Sequence, residues 1–520
     1  MIALQRTDGF VGRTTNWLYD HLRCLPRYTP SGVGDRVANR QEFADPEARA
    51  TEPRSLGRRI WQRVCGQRVY PTDRLWLTQM APRVLHFAGV FERAGKALAL
   101  GPAMAALDRV ASREGARGNG SLASGEVRET RNGGHATSQR PSYIFVLPWE
   151  VHFGGGVNAV VRNLSKAMME KGFLEPSIAV NSWEDSTPRH SEDVFRFRFS
   201  IFGSMSALGV LKAIVKAPLI LWRTFRLLQK CNAQAVNFHY PRIAPFGVAV
   251  LKRLGVFRGK LVLSYHGTDV APPSGRIESL IHAFVLRSAD HLVGCSYSLA
   301  ERMSSQLAVP ASRVDVILNG VDTAIFDGTG RPDTSLPHQV PSTFLVNVGA
   351  FIPRKNHTLL LHAFALLKDR YPALHLCIAG ADGDERRTVE DAVRAHELSG
   401  RAHLFVDLDQ FQVALLLSKA TLCVQTSFAE SFPLAVLEAG ASGIPIVVSD
   451  IPGHQEMVCN DRTGRLFPLG DPSACANAIA AMLDNPNAAA RMAAAQKARA
   501  RKELTWVSSM QQYEGLVRSI

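Results

Sequence analysis

From residue 143 onward the chain alternates two patterns. Continuous apolar runs of five to seven residues are separated, in most cases, by segments of ten to twenty residues with apolar positions recurring every three or four. A strand covered on both faces reads as an unbroken apolar run, and an amphipathic helix reads as the second pattern. The runs predict strands at 143–148, 176–181, 234–239, 260–265, 290–294 and 313–317, and a second series at 343–349, 373–379, 402–406, 420–425 and 444–449. Strands alternating with helices argue for parallel sheets with helices on both faces. The two series predict an α/β chain of two facing, Rossmann-like, doubly wound domains over 141–330 and 331–520, with the seam near 320–342. The final helices, 473–484 and 487–519, are placed to cross back to the first domain. In open α/β sheets ligands bind at the carboxyl ends of the strands, so a reaction belongs in the cleft between the domains.

The first 140 residues are different. Residues 112–140 are rich in Gly, Ser, Arg, Asn and Thr and read as a flexible linker. The extension before it, 1–111, faintly echoes 152–260: Asp8-Gly-Phe-Val-Gly12 precedes a helix-like stretch, and Pro82-Arg-Val-Leu-His86 resembles Gln234-Ala-Val-Asn-Phe-His239. It is expected to be a partial duplicate of an N-terminal domain, or else an unrelated helical extension. Of the net charge of +14, residues 1–140 carry +9, with 21 arginines against one lysine. No nucleic-acid motif accompanies this excess, so nucleic acid is not expected as a partner.

One segment carries more chemistry than the rest. Residues 426–440 place Glu430 and Glu438 eight positions apart across a helix start, behind the apolar run 420–425. Ser431 is expected as the N-cap, with Pro433 in the first turn. Glu430 then lies in the loop before the helix, and Glu438 about a turn and a half inside. Free amides at a helix start attract phosphate, and flanking carboxylates can accept hydrogen bonds from sugar hydroxyls. Arg354-Lys355, before a helix that Asn356 is expected to cap, suits the growing charge of a departing diphosphate. Gly154-Gly155-Gly156 opens a helix behind the first strand, and His266-Gly-Thr-Asp269 follows another strand end. Taken singly, each also fits a tight turn, a solvated ion pair or a histidine satisfied by the backbone.

Together with Gly443-Ile-Pro-Ile-Val-Val-Ser-Asp450 and Gly453-His-Gln-Glu456, this block resembles the donor signature of retaining glycosyltransferases of family 4, which have the GT-B fold. The resemblance covers about 141–520. It implies transfer of a hexosyl unit from a nucleoside-diphosphate sugar to a hydroxyl of a glycan or lipid-linked acceptor, in cell-surface polysaccharide synthesis. Arg354 and Lys355 would hold the diphosphate, Glu438 the ribose and Glu430 the sugar hydroxyls. Gly155, Gly156, Ser431, Phe432, Pro433 and Leu434 would line the donor site, and His266 would face the transferred sugar. Asp269 and Asn319 fall on the acceptor side; Asp269 would orient the acceptor or its own loop. The nucleotide sugar is a co-substrate, and no cofactor or metal is expected. One departure is visible: Asp407 stands where the family has a glycine, near the nucleotide base. The alternatives are a GT-B-fold epimerase of nucleotide sugars and a membrane-associated, non-catalytic partner.

The place in the cell is read from what the chain lacks and from one helix. No run reaches the roughly 18 apolar residues of a membrane span, no signal peptide is seen, and the eight cysteines are scattered. A cytoplasmic protein is expected. In 205–230, Lys212, Lys216, Arg223, Arg226 and Lys230 are read as one face, opposite Leu211, Ile214, Leu219 and Leu221, with Pro218 kinking or dividing the helix. That face would lie on the inner surface of the cytoplasmic membrane, or else simply be solvated over the first domain's sheet.

Overall fold

The structure, a computed structural model, describes residues 141–151, 155–182 and 194–518. The expected extension, 1–111, and the linker, 112–140, lie outside the described residues. Two parallel sheets follow one another. The first has the order β3-β2-β1-β4-β5-β6-β7, with β1 Ser142–Leu147, β2 Glu175–Asn181, β3 Val194–Phe197, β4 Ala233–His239, β5 Lys260–Tyr265, β6 His291–Gly294 and β7 Val314–Val316. The second has the order β10-β9-β8-β11-β12-β13, with β8 Phe344–Val348, β9 His375–Gly380, β10 Ala402–Val406, β11 Leu422–Gln425, β12 Ile446–Ser449 and β13 Arg465–Phe467. Both are doubly wound, and the strand order reverses between β1 and β4 and between β8 and β11.

All eleven expected strands form. β3 and β13 were not expected: one is four residues and the other three, at the sheet edges, too short for a clear apolar run. β1 is buried at every position, as a strand covered on both faces must be. On one face Tyr143, Phe145 and Leu147 pack with Val160, Val161 and Leu164 of the helix Gly156–Lys171 and with Trp506, Met510 and Tyr513.

Those last three residues belong to the crossover back to the first domain. The expected helix 487–519 is in fact two, Pro486–Glu503 and Trp506–Arg518, broken at Leu504-Thr505. At the break the chain pairs with the first domain, Val321 N donating to Leu504 O (2.9 Å). The final helix then fastens itself by polar contacts. Ser509 Oγ donates to Leu318 O (2.7 Å), Tyr513 OH lies 3.1 Å from Ser264 Oγ, and the buried Glu514 carboxylate accepts from the amides of Phe173 (2.9 Å) and Leu174 (3.1 Å). A carboxylate there satisfies two donors that would otherwise be orphaned where the helix Gly156–Lys171 turns into β2.

The basic helix is one uninterrupted element, Ala207–Lys230, and Pro218 does not divide it. Buried Ala213, Ile220, Leu221, Thr224, Leu227 and Leu228 form its inward stripe. Leu219 does not belong opposite the cations: seven residues from Lys212, nearly two turns, it falls among them. The outward stripe is therefore mixed, with exposed Lys212, Arg226 and Lys230 beside half-buried Val215, Lys216, Leu219 and Trp222. Among the described residues no helix is long and apolar enough to cross a membrane.

Candidate active site

The second domain's part of the site is built at the β8/β11 crevice. After β8 the chain makes a 3-10 turn, Pro353–Lys355, then the helix His357–Ala365. Asn356 occupies the N-cap position in a left-handed conformation (φ 52°), and its side chain makes no capping bond. After β11 a loop leads to the helix Leu434–Ser442. The two loops are tied together. Thr426 Oγ1 donates to the carbonyl oxygens of Lys355 (3.1 Å) and Asn356 (2.9 Å), and Phe428 N donates to Arg354 O (2.9 Å). This fixes Lys355 Nζ 2.7 Å from Glu430 Oε1, with the two side chains 14% and 7% exposed.

The two glutamates differ in electrostatics. Burial pushes the Glu430 carboxyl up, but the charges of Lys355 and Arg354 outweigh it and hold the group below the ordinary carboxylate range. Glu438, half-buried on the helix, receives no side-chain hydrogen bond from the described residues, and burial raises it to about 7 against the partial pull of Lys355. One carboxylate is thus firmly ionised and the other titrates near neutrality, the separation that active sites impose on paired acids. Arg354 is exposed on the same turn.

The expected cap at Ser431 is not seen. Pro433 is the N-cap residue, no side chain caps the helix, and the helical residues start at Leu434. Ser431 is instead buried where the domains meet: a Cβ on Gly267 would lie 2.4 Å from Ser431 Oγ. That hydroxyl can rotate away, but Gly267 also has φ +141°, a backbone state that side chains resist, so strain favours glycine there. Phe432 is a core side chain, 6% exposed, and Leu434 packs against the first domain's cluster around Phe145.

The first domain contributes its own switch point, between β1 and β4. Gly155, with φ +156°, precedes the helix Gly156–Lys171, and a Cβ at Gly155 or Gly156 would meet no described atom within 4 Å. Residues 152–154 of this loop lie outside the described residues. His266 follows β5, its backbone N and that of Gly267 donating to the Asp269 carboxylate (3.0 and 2.7 Å). Asp269, raised to about 6 chiefly by burial, therefore orients its own loop. Asn319 is buried, and no hydrogen bond joins it to the Lys355–Glu430 pair among the described residues. The neighbouring Gly320 packs against Thr505 and Trp506 of the crossover.

Several residues at this site were not expected. Trp149, its Nε1 donating to Asn158 Oδ1 (2.8 Å), stands edge-on to Tyr240 with ring centroids 5.1 Å apart. Burial pushes the Tyr240 phenol up, and the charges that reach it include Asp269 from its own domain and Arg354 from the other. Tyr240 also has a left-handed backbone (φ 59°), a strain that clusters at functional sites. Glu456 of the second domain accepts from the backbone amides of Tyr297 (2.8 Å) and Ser298 (2.6 Å), the first residues of a first-domain helix. The signal for Tyr240 was its place at a strand's C-terminal end; Glu456 was visible as the end of the Gly453-His-Gln-Glu456 block, but its partners, 158 and 159 residues away, were not. Asp407 adopts φ 55°, so the position keeps a glycine-like backbone that aspartate is among the few residues to tolerate.

Comparison with known proteins agrees with this geometry. A family model described as Glycosyltransferase Family 4 matches residues 154–325, and one described as Glycosyl transferases group 1 matches 333–500. The chain is 29% identical over 253 residues to a glycogen synthase of Mycobacterium tuberculosis, a match covering 47% of this chain and 60% of that relative's length. It is 27% identical over 385 residues to a D-inositol 3-phosphate glycosyltransferase of a Nocardioides species, covering 67% and 81%. In fold it is similar to the Anabaena protein HepE solved with UDP and glucose (17% identity, TM-score 0.56, 73% of this chain and 100% of that one). It is likewise similar to a sucrose-phosphate synthase from Thermosynechococcus elongatus (22% identity, TM-score 0.57, 73% and 98%). With one family model on each of its two doubly wound domains and the GT-B arrangement between them, the chain belongs to the group 1, family 4 glycosyltransferases.

Proposed function

We propose that this protein is a retaining glycosyltransferase that moves a hexosyl unit from a nucleoside-diphosphate sugar to a hydroxyl of a glycan or lipid-linked acceptor. The observation that carries the reading is the Lys355–Glu430 pair at 2.7 Å, beside an uncapped helix start and Glu438, which titrates at about 7 and receives no side-chain hydrogen bond among the described residues. Lys355 and Arg354 receive the diphosphate, Glu438 accepts from ribose hydroxyls, and Glu430 accepts from hydroxyls of the sugar. The bond from the anomeric carbon to the phosphate oxygen breaks as negative charge grows on the diphosphate, where the two cations stabilise it. The acceptor oxygen attacks from the face the diphosphate leaves, and its proton passes to the departing phosphate oxygen. His266 and the Trp149–Tyr240 pair line the acceptor side.

Product analysis with and without acceptor tests this. A glycoside of retained anomeric configuration, formed only with acceptor, supports it; an epimerised nucleotide sugar without acceptor favours the alternative. Because proteins of this fold are solved with UDP, UDP-sugars are the first donors to try.

The outward stripe of the helix Ala207–Lys230 supports a second element of the reading. Cations interleaved with Val215, Leu219 and Trp222 suit an anionic membrane interface better than bulk water. The protein then works as a peripheral enzyme on the inner face of the cytoplasmic membrane, as a lipid-linked acceptor of cell-surface polysaccharide synthesis would require.

A further inference from the structure

His239 ends β4, and its partner in the register of β5 is Ser264, so His266 lies two residues beyond that pairing. The side chains meet there, His239 Nδ1 2.8 Å from His266 Nε2, with the rings 21° from parallel. His239 is 1% exposed, and its other nitrogen, Nε2, is buried with no hydrogen-bond partner among the described residues. Burial lowers His239 well below the usual imidazole range and His266 to about 4, so both rings are neutral at working pH.

Two neutral imidazoles can share one hydrogen bond in two ways. If His266 Nε2–H donates, His239 must carry its own proton on Nε2, as a buried N–H with nothing to accept it. If His239 Nδ1–H donates, the buried orphan is a lone pair. Orphaned buried donors are the rarer and costlier defect, so the second arrangement prevails. We infer that His239 is a positioning residue: it donates Nδ1–H to His266 Nε2 and fixes His266 as the Nδ1–H tautomer, presenting that N–H to an oxygen of the transferred sugar. Among the described residues His266 Nδ1 has no protein partner and is not among the fully buried orphans, which leaves it free for this contact. A donor held in one orientation before substrate arrives needs no reorganisation in the transition state. The role assigned toward the sugar rests on the glycosyltransferase reading above; the tautomer does not.

The test has two arms. In protein carrying 15N-labelled histidine, two-bond proton–nitrogen correlation reads the tautomer directly. The His266 pattern, identified by its loss in His266→Gln, is expected to be Nδ1–H in the wild type and to shift toward Nε2–H in His239→Phe. Turnover of UDP-glucose, read as donor hydrolysis or transfer, is the second arm. His239→Phe should lower kcat about 10- to 100-fold, the range for loss of an orienting partner, with donor KM within about twofold. His239→Asn, whose amide N–H can replace Nδ1–H, should recover most of the loss, and unchanged melting temperatures show that both variants fold. An Nε2–H tautomer of His266 in the wild type overturns the inference, as does wild-type kcat in His239→Phe. If the protein turns over no donor while the tautomer is as expected, the functional reading fails and the His239–His266 arrangement stands.

Discussion

Lys355 Nζ and Glu430 Oε1 are 2.7 Å apart although 75 residues separate them in the chain, and both side chains are almost shielded from water. Removing one partner strands the other as a buried, unpaired charge, at a cost of about 3–5 kcal/mol. Lys355→Ala should therefore lower the denaturation midpoint of the unliganded protein, and Lys355→Ala/Glu430→Gln should recover part of that loss. A double-mutant cycle by chemical denaturation measures it, and additive losses would show that the pair is not coupled.

Glu438 gives the site a pH dependence of definite sign. Its carboxyl titrates at about 7 in the unliganded protein because burial disfavours the charge. Ribose hydroxyls that donate to it favour the ionised form. Nucleotide binding should therefore release a proton below pH 7, and affinity should rise with pH up to about 7 and then level off. Calorimetric titration with UDP in buffers of different ionisation enthalpy detects the proton, and Glu438→Gln should remove both the release and the slope.

A methyl group on Gly267 would meet only the Ser431 hydroxyl, which can rotate away, but the φ of +141° strains any side chain there. Gly267→Ala should therefore shift the loop that carries His266 and lower kcat about 10- to 100-fold, as misplacement by an ångström does. Because the strain lies in the backbone, Gly267→Ala/Ser431→Gly should stay as low as the single variant. Recovery of wild-type kcat in the double variant would show that the contact with Ser431, not the backbone, sets the loss.

Glu514 holds the final helix to the first domain through two backbone amides. Glu514→Ala orphans both and should cost about 1–3 kcal/mol of stability. Denaturant titration reads the loss; no change would mean that the crossover is held by its apolar face alone.

The helix Ala207–Lys230 predicts adsorption to anionic vesicles. Each cation at such a surface contributes about 1 kcal/mol, so K212E/K216E/R226E should weaken partition into phosphatidylglycerol vesicles by about 100-fold or more. Co-sedimentation measures it, and equal binding of neutral vesicles by the wild type would remove the electrostatic argument.

The sheets were legible because buried parallel strands are continuous apolar runs, and eleven of these set the two series. What the pattern did not carry was tertiary. Ser431 has the chemistry of a cap, but the tie between Thr426 and the Lys355 turn, and the contact with Gly267, decide where its loop runs. Leu504-Thr505 contains no helix breaker, and the break comes from pairing with Val321. The acids and cations of the site were visible as types at a spacing. Their pairing was not, nor was the partnership of His239 with His266, which depends on the register of two strands.

The central claim is that Arg354, Lys355, Glu430 and Glu438 form a nucleotide-sugar site. Thermal shift across a panel of UDP-, GDP-, ADP- and dTDP-sugars tests it most directly, on the wild type, Lys355→Ala and Glu438→Ala. The account predicts that one nucleotide class raises the wild-type midpoint by several degrees at millimolar donor and that neither variant responds. A wild type indifferent to every donor, or both variants responding as the wild type does, would contradict it.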